Sequence, residues 1–89
     1  MTTRDEVKRS VLGILSAVAH VPVERIEEKD RLEKDLGLTK LIRKALGISY
    51  SKVTDDYEEG TRVPLKEAEG YKTVKETIDK VTKHAQGEI

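Results

Sequence analysis

The chain has 89 residues, below the usual size of one domain, so it can bury one modest core and has no room for a deep cleft between two lobes. Apolar residues make up 36% and charged residues 38%; the apolar ones are mostly Val, Ile and Leu at regular intervals, and the aromatics are only Tyr50, Tyr57 and Tyr71, which implies a foldable chain with an aliphatic core. Seventeen basic residues balance seventeen acidic ones, so no global attraction to nucleic acid or to an anionic membrane is expected.

In chain order, Thr3 followed by Glu6 fits a capping box. Val7, Val11, Ile14, Leu15 and Val18 recur at spacings of three and four, which predicts an amphipathic helix over 4–19. His20-Val21-Pro22 ends it, because proline disfavours a helical residue before it. A polar connection from Val23 to Asp35 follows, with Ile26 and Leu32 as apolar anchors. Gly37 breaks the chain and Thr39 can cap a second helix.

Within 39–58, Ile42, Leu46, Tyr50, Val53 and Tyr57 form the second helical stripe. Gly47 costs that helix about 1 kcal/mol relative to alanine, which makes an interruption there an expectation. Gly60 and Pro64 bracket a loop, and 64–70 reads as a short third helix. Thr73 and Glu76 fit another capping box, and Val74, Ile78 and Val81 carry a last helix to about His84. The tail Gln86-Gly87-Glu88-Ile89 is expected to fray. No repeat or low-complexity stretch stands out, so 1–89 reads as a single all-α domain.

Groups that carry chemistry are few. With no cysteine, disulfides, thiolate metal sites and cysteine nucleophiles are excluded, and a reducing cytoplasm is the expected location. No apolar run approaches the ~20 residues of a membrane span, and the polar opening Met1–Glu6 has no signal-peptide pattern. His20 and His84 read as surface histidines without metal-ligand spacing. The glycines are isolated rather than gathered in a phosphate loop. Ser10, Ser16, Ser49 and Ser51 have no recognisable His–acid pair. The carboxylates lie in lysine-rich stretches, where ordinary acidity is expected. The expected function is therefore non-enzymatic, with no catalytic and no metal-binding residue.

The layout resembles an acyl carrier protein. Val11 to Leu38, VLGILSAVAHVPVERIEEKDRLEKDLGL, looks like that family's first helix and loop and ends in Asp35-Leu36-Gly37, the approach to its modification site. Val63-Pro64 with Glu67-Ala68-Glu69 resembles the entry to its third helix, and Thr73 to Asp79 the start of its last helix. The pieces cover roughly two thirds of the chain in the family's order, and imply a small four-helix bundle with a long loop between helices one and two.

The chain departs from the family where the chemistry would lie. The family's Asp-Leu-Gly-X is followed by Asp-Ser-Leu, whose serine carries 4′-phosphopantetheine. Here the run is Thr39-Lys40-Leu41, with Lys40 in the serine's place. A phosphodiester needs a hydroxyl, so no cofactor is expected at Lys40. Thr39 and Ser49 are the fallback hydroxyls should an arm be attached elsewhere. The family is acidic along its second helix, whereas here Lys40, Arg43 and Lys44 make its first half basic. The segment 39–64 is also about five residues longer than usual. These features point to a binding module whose partner face is Thr39, Lys40, Leu41, Arg43 and Lys44. Its partner would be another protein, such as an enzyme of acyl or peptide assembly, rather than a nucleic acid or a membrane.

A second resemblance competes. Ile42 to Pro64, IRKALGISYSKVTDDYEEGTRVP, looks like a repressor-type helix-turn-helix, with Leu46-Gly47-Ile48-Ser49 as the turn and Tyr50–Tyr57 as the recognition helix. Its charge opposes DNA reading. Asp55, Asp56, Glu58 and Glu59 would meet the phosphate field, against Lys52 as the only base in that helix.

Overall fold

The computed structural model describes residues 2–89 as four helices: α1 (Thr3–Ala19), α2 (Lys40–Thr54), α3 (Leu65–Glu69) and α4 (Val74–Ala85). The fold is all-α, a small four-helix bundle with a long connection between α1 and α2. That connection contains one 3-10 turn, Val23–Arg25. The only extended pairing among the described residues is a bridge between Arg31 and Thr73, where Leu32 N–H donates to Lys72 O at 2.9 Å and Val74 N–H to Asp30 O at 2.9 Å.

The helix limits follow from their caps. The α1 capping box forms one residue earlier than expected: Thr2 Oγ1 accepts from Asp5 N–H at 3.1 Å, and the Asp5 carboxylate accepts from Thr2 N–H at 3.3 Å. Asp at that position can return the bond as Glu does, which the Thr3–Glu6 expectation overlooked. His20 closes α1 in the left-handed conformation, φ 58°. At α4, Thr73 Oγ1 accepts from Glu76 N–H at 3.0 Å, but the Glu76 carboxylate takes Lys72 N–H at 2.7 Å instead of the cap residue's own.

Two expectations for the second helix are corrected. α2 runs unbroken through Gly47, so the interruption there and the turn at 46–49 are both absent. Gly47 is explained by packing. A Cβ on it would lie 2.8 Å from Leu65 Cδ2, 3.2 Å from Leu65 Cα and 3.3 Å from Ala68 Cβ. Its missing side chain is what lets α3 close on α2, an approach that a larger residue would hold apart. α2 also stops at Thr54 rather than reaching 58. Acids at a helix C-terminus oppose its dipole, and Asp55, Asp56, Glu58 and Glu59 lie there. Gly60 then folds back so closely that a Cβ would sit 1.8 Å from Thr54 O.

The core lies where α1 meets α4 and where α2 meets α3. Val7, Val11 and Leu15 of α1 are buried together with Val74, Ile78 and Val81 of α4. Ile26, Leu32, Leu36 and Leu38 pin the long loop beneath them, as the two predicted anchors require. Ile14 is half-buried and Val18 lies at the edge, so the inner stripe of α1 is narrower than its apolar pattern. From α2, Leu46 and Tyr50 are buried and Val53 is half-buried, while Ile42 faces out. Tyr50 and Tyr71 pack with ring centroids 6.0 Å apart. Full burial of one such aliphatic side chain contributes roughly 1.5–3 kcal/mol.

Polar ties brace the α1–α4 side. Arg4 Nη2 lies 2.8 Å from Glu28 and its Nε 2.8 Å from Asp79, and Lys8 Nζ lies 2.8 Å from Glu28. Hydrogen bonds from Arg4 and then Lys8 pull the Glu28 carboxyl down to about 2, below its ordinary value. The expectation of ordinary carboxylates therefore fails here. The C-terminal tail is not frayed either. Glu88 N–H donates to Lys83 O at 2.9 Å, the Thr61 hydroxyl reaches Ile89 O at 3.0 Å, and Gly87 sits against Glu59.

Candidate interaction face

The predicted face begins at the N-cap of α2. Thr39 Oγ1 accepts from Ile42 N–H at 3.3 Å, which satisfies one of the free donors of the first turn. Lys40, Leu41 and Lys44 then project into solvent, and Leu41 is 76% exposed. A phosphodiester-linked arm does not fit at Lys40, whose side chain offers no ester oxygen and ends in an ammonium 3.8 Å from Glu69. The exposed hydroxyl nearby is that of Thr39; Ser49 is half-buried farther along α2.

Arg43 departs from the expected face. Its side chain is only 14% exposed. Nη1 donates to Leu38 O at 2.8 Å, Nε donates to Glu69 O at 3.2 Å, and Glu33 lies 3.6 Å away. Arg43 thus staples the end of the long loop to α2 and to the end of α3. It also borders a cleft of about 390 Å³ in which Arg31, Lys34 and Lys72 share the walls with Glu33 and Glu69.

The structure adds residues that the sequence reading left off this face. Ala45 and Ile48 are exposed on α2, Ile48 at 56%, and Leu65 of α3 is 40% exposed. Between α2 and the 62–65 segment runs an open groove of about 800 Å³, lined by Ile48, Ser51 and Lys52 on one side and by Val63, Pro64 and Leu65 on the other. Ser51 secures the groove floor: its Oγ accepts from Val63 N–H at 2.9 Å and donates to Val63 O at 3.3 Å. The helical spacing of Leu41, Ala45 and Ile48 was the available signal. It was masked because the same helix carries a second, inward stripe.

A second polar cluster corrects the reading of His84 as a surface residue. His84 is buried at 4% exposure. Its Nδ1 lies 2.7 Å from Thr61 Oγ1 and its Nε2 2.9 Å from Glu67 Oε2, and Tyr71 donates its hydroxyl to the same Glu67 oxygen. Burial would raise the Glu67 carboxyl, but the hydrogen bonds from Tyr71 and His84 prevail and hold it below the usual carboxylate range. Burial, then Glu67 itself, push the Tyr71 phenol well above its ordinary value. His84 stands three residues after Val81 and seven after Thr77, both buried, so its place on the inner face of α4 was readable from spacing.

The order hydroxyl–imidazole–carboxylate matches that of a nucleophilic relay, but the surroundings constrain it differently. The Thr61 hydroxyl also faces the carbonyls of His84 and Ile89, at 3.4 and 3.0 Å. The imidazole is shut off from solvent, and Glu67 is shared with Tyr71. The cluster joins the 60–64 loop, α3 and α4. His20, by contrast, is exposed at the end of α1. Among the described residues, no group of three or more His, Cys, Asp and Glu side chains is placed to hold a metal ion, and no helix is long and apolar enough to cross a membrane.

Comparison with family models, with curated proteins and with solved structures gives no match for this chain.

Proposed function

We propose that the chain is an acyl-carrier-protein-like binding module without catalytic chemistry of its own, not phosphopantetheinylated at the family's position, and that it engages a partner protein through the start of α2. The observation that carries this reading is Leu41, a large apolar side chain 76% exposed between Lys40 and Lys44. An apolar anchor flanked by cations offers burial for affinity and charge for orientation. Thr39 contributes the cap that fixes where the face begins, and Arg43 holds the loop behind it. An enzyme of acyl or peptide assembly is the partner class that the resemblance suggests.

Co-expression with a broad phosphopantetheinyl transferase, followed by intact-mass measurement, tests the no-arm claim. The expected result is the unmodified mass alone. A species heavier by one phosphopantetheine arm would overturn it, and peptide mapping would then distinguish Thr39 from Ser49.

The DNA-binding alternative loses its main support, because residues 46–49, which would have to turn, are helical. Titration with random duplex DNA at low salt, where phosphate contacts are strongest, is expected to show no binding.

A further inference from the structure

The outward face of α2 extends beyond its first turn. Leu41, Ala45 and Ile48 fall within an arc of about 60° on the helical repeat and rise over about 10 Å. Leu65, 40% exposed, continues this apolar strip on α3 across the groove of about 800 Å³. Neither Leu41 nor Ile48 belongs to the core, so the fold gains little from keeping them apolar. Large apolar side chains gathered beside a groove mark an interaction site rather than scattered surface.

Charge decides what the strip accepts. Lys44 and Lys52 stand four residues to either side of Ile48, and Arg62 lines the same groove. Lys40 flanks Leu41, and Lys66 follows Leu65 as an exposed residue. Among the described residues Asp55 is the one acid lining the groove, and Lys40 and Glu69 pair with each other, which leaves Lys44, Lys52, Arg62 and Lys66 against Asp55. The rim is therefore predominantly cationic although the chain as a whole is neutral. A second copy fits poorly. Antiparallel pairing of two α2 helices on Ile48 places Lys44 of each copy against Lys52 of the other, and parallel pairing places each lysine against itself. Like charges brought together in this way oppose association.

We propose that the groove between α2 and the 62–65 segment, together with Leu41, Ala45, Ile48 and Leu65, receives an acidic amphipathic helix of a partner protein. The proposal rests on the binding-module reading and deepens it by naming the partner's chemistry. Such a helix presents apolar anchors at i, i+3 or i+4 and i+7, the spacing that matches this strip. Its carboxylates would lie toward Lys44, Lys52 and Arg62. These contacts are rim-exposed, so they orient the helix and make binding salt-dependent, while Leu41 and Ile48 supply the affinity.

The test is selection of a displayed library of helical peptides on the folded chain. Enriched peptides are then titrated by fluorescence anisotropy against the wild type, Ile48→Asp, and the double variant Lys44→Glu with Lys52→Glu. Circular dichroism confirms that each variant is folded. The expected binders carry apolar residues at i, i+3 or i+4 and i+7 with Asp or Glu beside them. Ile48→Asp is expected to weaken them at least about tenfold, and the double charge reversal to turn the preference toward basic peptides.

The proposal is overturned by failure to enrich any peptide, by enrichment of basic peptides on the wild type, or by binders indifferent to Ile48→Asp. It is equally overturned if sedimentation shows a dimer that Ile48→Asp dissolves, or if anionic vesicles or duplex DNA bind through these same residues. A phosphopantetheine adduct in the mass measurement would refute the no-arm reading without altering the peptide result, so the two failures are separable.

Discussion

α2 shows two faces that the same apolar residue types serve in different ways. Its inner face places Leu46 and Tyr50 in the core and lets α3 approach at Gly47. Its outer face carries Leu41, Ala45 and Ile48 into solvent among lysines. The inner residues are accounted for by packing. The outer ones are not, because side chains that stay wet contribute little to stability. The contrast separates what builds this fold from what is available to a partner, and substitutions can be placed on either side of it.

The largest effect is expected at Leu46, 5% exposed in the core. Leu46→Ala removes buried methyl groups and leaves a cavity, at a cost of about 2–5 kcal/mol measured by urea unfolding. A loss as small as that of a surface substitution would break the inner half of the comparison. Gly47→Val comes next. Leu65 Cδ2 could swing away from the new side chain, but Leu65 Cα, 3.2 Å from the added Cβ, is backbone and must shift. Overpacking of this kind costs about 1–3 kcal/mol. Unchanged stability would mean that α3 does not depend on close approach to α2.

Glu28, tied to Arg4 and Lys8 of α1, sharpens the comparison away from α2. Its carboxyl is held down to about 2 by Arg4 and Lys8. A depressed folded-state value contributes stability that is fully present above the ordinary carboxyl range and lost as pH falls through that range toward 2. Unfolding midpoints measured from pH 6 downward should therefore fall less steeply in Glu28→Gln than in the wild type. Parallel curves would show that the Arg4–Glu28–Lys8 tie does not contribute. Tyr50→Phe should have the smallest effect on the inner face. The Tyr50 hydroxyl is buried without a hydrogen-bond partner of good geometry, and burial raises its phenol with only a partial offset from Thr77. Removing an unsatisfied hydroxyl is expected to be neutral or slightly stabilising, by less than about 1 kcal/mol. A clear loss would reveal a bond that the geometry does not show.

Much of the fold was legible in the residues. The spacing of Val7, Val11 and Leu15, the stop at His20-Val21-Pro22, the cap at Thr39 and the short helix after Pro64 all follow from local rules, and each is present. The errors came where distant parts of the chain meet. Gly47 read as a helix breaker because propensity knows nothing of Leu65 and Ala68 packed above it. For His84 the spacing on α4 shows the buried position, but not the partners Thr61 and Glu67, which are far away in sequence. Arg43 read as a face residue because its targets are backbone carbonyls, which no side-chain pattern reports. Of the proposed face, the sequence pattern suggests Lys40, Leu41 and Lys44, whose exposure the structure shows, whereas Leu65 and the groove wall at 62–65 depend on the tertiary contact of α3 with α2.

The separation of the two faces is tested most directly by the unfolding free energy of the double variant Leu41→Asp with Ile48→Asp, measured in urea beside Leu46→Ala. An outer face that serves binding rather than folding predicts stability within about 0.5 kcal/mol of the wild type. A loss comparable to that of Leu46→Ala would place these residues in the core and contradict the account.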